Sequence, residues 1–127
     1  MTALAIFAHE HGWKVAGSDV EGDFPTHDAL SRLGIDVHIG FVPGNIPGDC
    51  DLLIYTGAHG GKDNPQVKEA NGRNIPVLPH GKALGMMMEG YRQICVAGSH
   101  GKTTTSAWIA HLLSKAGADP SWAIGAG

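Results

Sequence analysis

Ile94-Cys95-Val96-Ala97-Gly98-Ser99-His100-Gly101-Lys102-Thr103-Thr104-Thr105 is the stretch on which the fold turns. Its four apolar residues read as a short strand. A glycine-rich turn follows. Thr103 to Ala116 then reads as a helix, with Ile109, Leu112, Leu113 and Ala116 at helical spacing and Gly117 as its stop. Strand, glycine turn and helix, in that order, can cradle phosphate. Gly98 and Gly101 allow close backbone approach, and the helix start offers unpaired N–H groups and a positive dipole end. Lys102 would reach the outer phosphates, and Thr103 would set its hydroxyl on Mg²⁺. A nucleoside triphosphate is the leading ligand.

The pattern is not the strict GxxxxGK[ST], because its first glycine would fall at Val96. What stands is the shorter G-x-x-G-K-T-T. An ordinary glycine turn before a capped helix is the competing reading. Two near copies show what the loop requires. His80-Gly81-Lys82 is followed by Ala83, which has no hydroxyl for a metal. Gly60-Gly61-Lys62 is followed by Asp63, which would repel phosphate. Both are expected to be turns.

Working outward, helices and strands alternate. Thr2 is expected to cap a first helix with Leu4, Phe7, Ala8 and His11 on one face and Gly12 as its stop. Trp13–Ala16 reads as a strand ending at Gly17-Ser18-Asp19. Thr26 is expected to cap a helix with Ala29, Leu30 and Leu33 inward, stopped by Gly34. Ile35, Val37 and Ile39 alternate as in a half-buried strand, and residues 43–48 form a loop. Leu52-Leu53-Ile54-Tyr55 reads as a strand buried on both faces. Asn64-Pro65 is a capped helix start, with Gly72 as the end. Ile75–Leu78 is a short strand, Lys82–Glu89 a helix, and Trp122-Ala123-Ile124 the start of another strand. The fold class is therefore α/β with a mostly parallel sheet.

Composition agrees. With 127 residues the chain suits one small domain, and 43% hydrophobic residues and 19 glycines suit an α/β core with tight turns. A net charge of −3 without a basic tract gives no sign of nucleic acid binding. Cys50 and Cys95 form no CxxC and read as reduced thiols. No apolar run is long enough to span a membrane, and a cytoplasmic protein is expected.

The stretch from Val96 to Thr105 closely resembles the ATP loop of the Mur ligases, G-T-H-G-K-T-T-T, with Ser99 in place of threonine. Gly17-Ser18-Asp19, Leu33-Gly34-Ile35, Ile39-Gly40, Asp63-Asn64-Pro65, Asn74-Ile75-Pro76-Val77, Gly117, Asp119-Pro120 and Ile124-Gly125 resemble further family segments. His100 points to the branch that attaches L-alanine, or in recycling a murein tripeptide, to the muramoyl acid.

This resemblance implies a truncated Rossmann-like UDP-sugar-binding domain over residues 1–90. Residues 91–127 would begin the central ATP-binding domain, as its first strand–loop–helix. Met1-Thr2-Ala3-Leu4-Ala5 looks like the continuation of the family's glycine-rich turn, so a strand and that turn are expected before Met1. Neighbouring strands would then expose edges, leaving the chain marginal, oligomeric or aggregation-prone. Implied cofactors are ATP and Mg²⁺, held by Gly98, Ser99, His100, Gly101, Lys102, Thr103 and Thr104, with Thr103 on the metal. Implied substrates are UDP-N-acetylmuramate and L-alanine. The implied reaction is amide formation through an acyl phosphate, with the catalytic residues expected beyond Gly127, so that this chain alone would be inactive.

Asp19, at a strand end, is a candidate for ribose or base contact. Thr56, Gly57, Ala58 and His59 follow a buried strand at the edge where open α/β sheets bind ligands. His9, His11, His27 and His38 show no metal-ligand pattern and read as surface residues. Met86-Met87-Met88 reads as packing. A generic phosphate-loop nucleotide-binding module or ATPase, and a non-catalytic remnant, are the readings from other classes.

Overall fold

The computed structural model describes residues 1–22 and 24–124. The chain divides into two compact units, Met1–Glu89 and Gly90–Gly127.

The first unit opens with α1, Thr2–Glu10, which buries Leu4 and Ala8. Thr2 lies inside this helix. Met1 is the N-cap residue, without a side-chain cap bond, so the expected threonine cap is not made. The helix ends as expected, with Gly12 at φ +82° and Trp13 N–H donating back to Ala8 O at 3.0 Å. Strand β1, Ala16–Asp19, then pairs in parallel with β2, Asp36–Ile39. Gly17-Ser18-Asp19 thus forms the body of the strand, and Trp13–Val15 lie outside it.

Between β1 and β2 runs α2, Pro25–Arg32, with proline in its first turn and Phe24, not Thr26, as N-cap. Leu30 is buried, Leu33 is exposed, and Ile39 at the strand end is 54% exposed, contrary to the inward positions expected for both. Leu33 is the C-cap just past α2, and Ile39 is the last residue of β2.

The second pair is β3, Leu53–Tyr55, parallel to β4, Val77–Pro79. Its crossover helix is α3, Pro65–Gly72. Asn64 caps α3 as expected, accepting Gln66 N–H at 2.9 Å through Oδ1. Gly72 is the last helical residue, but the left-handed turn after it is made by Asn74, at φ +57°. Asparagine tolerates that conformation better than most residues. Ala70 is completely buried and packs with Ile46 and Ile75, against Cys50, Leu53 and Val77. Residues 43–45 form a single 3₁₀ turn inside the expected loop. All three β3 residues are only half-buried, so the apolar run does not become a strand covered on both faces. The unit closes with α4, His80–Met87. His80-Gly81-Lys82 is therefore the first turn of a helix and not a free turn.

The two parallel pairs are separate sheets of two strands each. The class is α/β with short parallel strands, as expected, in place of one continuous sheet.

The second unit contains α5, Lys102–Lys115, capped by Gly101 and followed by Gly117 at φ +80°. The expected strand Ile94–Ala97 forms no ladder, and Trp122–Ile124 are not in a strand. Gly125, in the last expected segment, lies outside the described residues. A strand exists only through hydrogen bonds to a neighbour, and this unit supplies none among its described residues. α5 likewise has no buried residue.

Candidate functional site

The site residues expected from the sequence fall into two groups, one in each unit. In the first unit, β1 and β3 border a cavity of about 750 Å³. Asp19, Thr56, Ala58 and His59 all line it, whereas Gly57 does not. Four of the five expected substrate residues are thus brought together from segments almost forty residues apart.

Asp19 ends β1 with both carboxylate oxygens engaged. Oδ1 accepts Val20 N–H at 2.8 Å, and Oδ2 lies 3.2 Å from His27 Nε2 on α2. His27, read from sequence as a surface residue, is this carboxylate's partner. The only signal for the pairing is that α2 returns beside β1 after a short turn. Thr56 Oγ1 accepts Ala58 N–H at 2.9 Å, which fixes the turn leaving β3. His59 sits at φ +52°, an uncommon conformation for a side-chain-bearing residue. Two contacts hold it there. Asn64 Nδ2 donates to its carbonyl at 3.0 Å, and its ring stacks on Phe41 at 5.2 Å between centroids and 27° between planes.

Sequence reasoning missed Gln66. Buried on α3, its Nε2 donates to Ser18 Oγ at 2.8 Å and to Val42 O at 3.0 Å. It links the β3–β4 half of the unit to β1. A glutamine in the first turn of a helix gives no sequence signal of a contact 48 residues away.

In the second unit, the turn before α5 holds two glycines with positive φ. Gly98 has φ +154° and Gly101 φ +78°, so a side chain at either would be strained. Lys102 folds back across the turn, with Nζ donating to Gly98 O at 2.7 Å and more weakly to Ser99 O at 3.4 Å. Thr103 and Thr104 occupy the first turn of α5, and Ser99, His100 and their neighbours are exposed. The donor set suits a phosphate chain: N–H groups at a helix start, one ammonium and hydroxyls. Among the described residues, no group of three or more His, Cys, Asp or Glu could enclose a metal ion. A lone threonine hydroxyl suits Mg²⁺ held mostly by phosphate and water.

Residues 1–92 match the Mur ligase family, catalytic domain. The chain is 41% identical over 125 residues to the UDP-N-acetylmuramate–L-alanine ligase of Aquifex aeolicus, covering 98% of this chain and 27% of that protein. The enzyme of the same name from Paenarthrobacter aurescens is 41% identical over 126 residues, again covering 27% of the relative. The crystal structure of UDP-N-acetylmuramate-alanine ligase from Thermotoga maritima superposes with a TM-score of 0.80 at 31% identity, over 90% of this chain and 26% of that one. The chain thus spans about a quarter of the length of the relatives it matches. With 92 of its residues in the family match and a solved relative of the same fold, the chain belongs to the Mur ligase family.

Proposed function

We propose that this chain serves the ATP-dependent ligation of L-alanine to UDP-N-acetylmuramate in the cytoplasm, as part of peptidoglycan synthesis. The observation that supports this most is the 41% identity to L-alanine-adding ligases across 98% of the chain. In this reading residues 1–90 form a Rossmann-like UDP-sugar-binding domain, and 91–127 open an ATP-binding domain. Asp19, Thr56, Ala58 and His59 hold the UDP-sugar.

Gly98 to Thr104 hold ATP, and Thr103 contributes its hydroxyl to Mg²⁺. When bound, ATP supplies the phosphoryl group that turns the muramoyl carboxylate into an acyl phosphate open to attack by the amino group. The chain's own residues act by electrostatics. The N–H groups at the head of α5 and the Lys102 ammonium face negative charge, and they neutralise it without accepting or donating a proton. Lys102 is already held over the turn by Gly98 O, so little ordering is needed on binding. His100 lies inside the turn, where it can contact the nucleotide.

Titration calorimetry tests the reading. UDP-N-acetylmuramate and ATP·Mg²⁺ are each expected to bind, and UDP alone to bind more weakly than the UDP-sugar. Binding of ATP·Mg²⁺ with no heat from UDP-N-acetylmuramate would favour a generic nucleotide-binding module. Silence for both would leave a non-catalytic remnant.

A further inference from the structure

We propose that His27 is a positioning residue that sets the preference of the first unit for a ribose. It holds the Asp19 carboxylate in the orientation that accepts the two ribose hydroxyls. This role rests on the reading of the Asp19 site as one for a UDP-sugar.

The pair is built by contacts within the unit. Asp19 is the last residue of β1. Its carbonyl accepts Gly40 N–H at 2.7 Å, which pins its backbone to the end of β2. Two donors then fix its side chain: Val20 N–H on Oδ1 at 2.8 Å and His27 Nε2 on Oδ2 at 3.2 Å. An ionised carboxylate only accepts, so Nε2 of His27 carries the hydrogen. The imidazole is itself held. It stands on the first turn of α2, where its backbone N–H donates to Phe24 O at 2.8 Å. Its ring meets the Phe24 ring edge-on, at 5.2 Å between centroids and 72° between planes. A side chain at Gly22 would come within 2.6 Å of that Phe24 ring, so the glycine leaves it room.

The chemistry selects the ligand group. An ionised carboxylate offers about four lone-pair sites, and each oxygen of Asp19 has one donor from the described residues. Each can accept one more. A ribose presents two vicinal hydroxyls, both donors. A pyrimidine imide presents a single N–H between two carbonyls, which a carboxylate repels. Acidic residues at the carboxyl ends of parallel strands commonly meet a ribose. Without His27, Oδ2 loses its anchor and the carboxylate can turn, so the cost of ordering it falls on ligand binding.

Calorimetry on the full chain compares uridine diphosphate with its dideoxyribose analogue, which lacks both ribose hydroxyls. The unaltered protein should bind uridine diphosphate about tenfold more tightly, since the analogue forfeits hydrogen bonds to a charged group. His27→Ala should weaken uridine diphosphate about fivefold and leave the analogue unchanged, so the preference falls to about twofold. His27→Gln, whose amide can bring a donor to Oδ2, should restore most of the preference. In nitrogen NMR of the unaltered protein, His27 Nε2 should carry a hydrogen. Its signal should move on saturation with uridine diphosphate and stay in place with the analogue. Equal weakening of both ligands by His27→Ala would make the residue merely structural and overturn the proposal. So would an Nε2 without hydrogen, whatever the variants do. Equal binding of both ligands by the unaltered protein would remove the ribose contact and overturn the proposal alone, leaving the UDP-sugar reading in place. No binding of either would overturn the two together.

Discussion

At the scale of single residues, the first unit is held by a few polar side chains doing two jobs each. Asn64 caps α3 through Oδ1 and grips the His59 carbonyl through Nδ2. Asn64→Ala removes both bonds. A lost cap costs about 1 kcal/mol and a lost backbone contact about as much again. The expected loss is about 2 kcal/mol in urea denaturation, with weaker UDP-N-acetylmuramate binding because His59 is released. Asn64→Asp keeps the cap and loses only the grip, so it should retain about half the stability difference. Gln66→Ala is expected to cost about 1–2 kcal/mol, since it strips partners from Ser18 and Val42. In the second unit Gly101→Ala forces a side chain into φ +78°. That strain is about 1–2 kcal/mol, and ATP·Mg²⁺ affinity in calorimetry should fall about tenfold while UDP-N-acetylmuramate binding is unchanged.

At the scale of elements, what was legible depended on whether the signal was local. The Asn64-Pro65 start of α3 and the Gly117 stop of α5 are set by residues within one turn, and both stand where the sequence puts them. The expected caps at Thr2 and Thr26 instead lie inside the first turns, and Pro25 at the first helical position sets the N-cap of α2 at Phe24, two residues earlier. Strands were legible as apolar runs but not as pairs. Leu53–Tyr55 and Ile94–Ala97 look alike in sequence, yet only the first meets a parallel partner. At the cavity, the shared position of Asp19, Thr56, Ala58 and His59 was legible because they end or follow strands. His27, Phe41 and Gln66 were not, because their roles exist only after α2, α3 and the loop after β2 fold back. The core at this scale is small. Ala70 on α3 has no free surface, so Ala70→Leu overpacks Ile46 and Ile75. The expected cost is about 1–3 kcal/mol, read as a lowered urea midpoint.

At the scale of the whole first unit, one electrostatic coupling joins its opening helix to its closing one. His80 is the first residue of α4, and the ammonium of Met1 stands at the start of α1. The His80 imidazole is held below its ordinary value of 6.5, first by burial and second by repulsion from that ammonium. Both causes disfavour the protonated form in the fold but are absent from the unfolded chain. Well above 6.5 the residue is neutral in both states and adds no pH dependence. As pH falls below that value, the unfolded chain takes up a proton that the folded chain resists, so stability declines until the folded midpoint is passed. NMR titration of the His80 ring should place its midpoint below 6.5, and the melting temperature should drop between pH 7 and pH 5 more in the wild type than in His80→Gln. Acetylating the Met1 amine removes the repulsion but leaves the burial. The midpoint should therefore rise only part of the way back, and the melting curve should keep part of its slope. Full recovery would make charge, not burial, the dominant cause. An unperturbed His80 before acetylation would remove the coupling altogether.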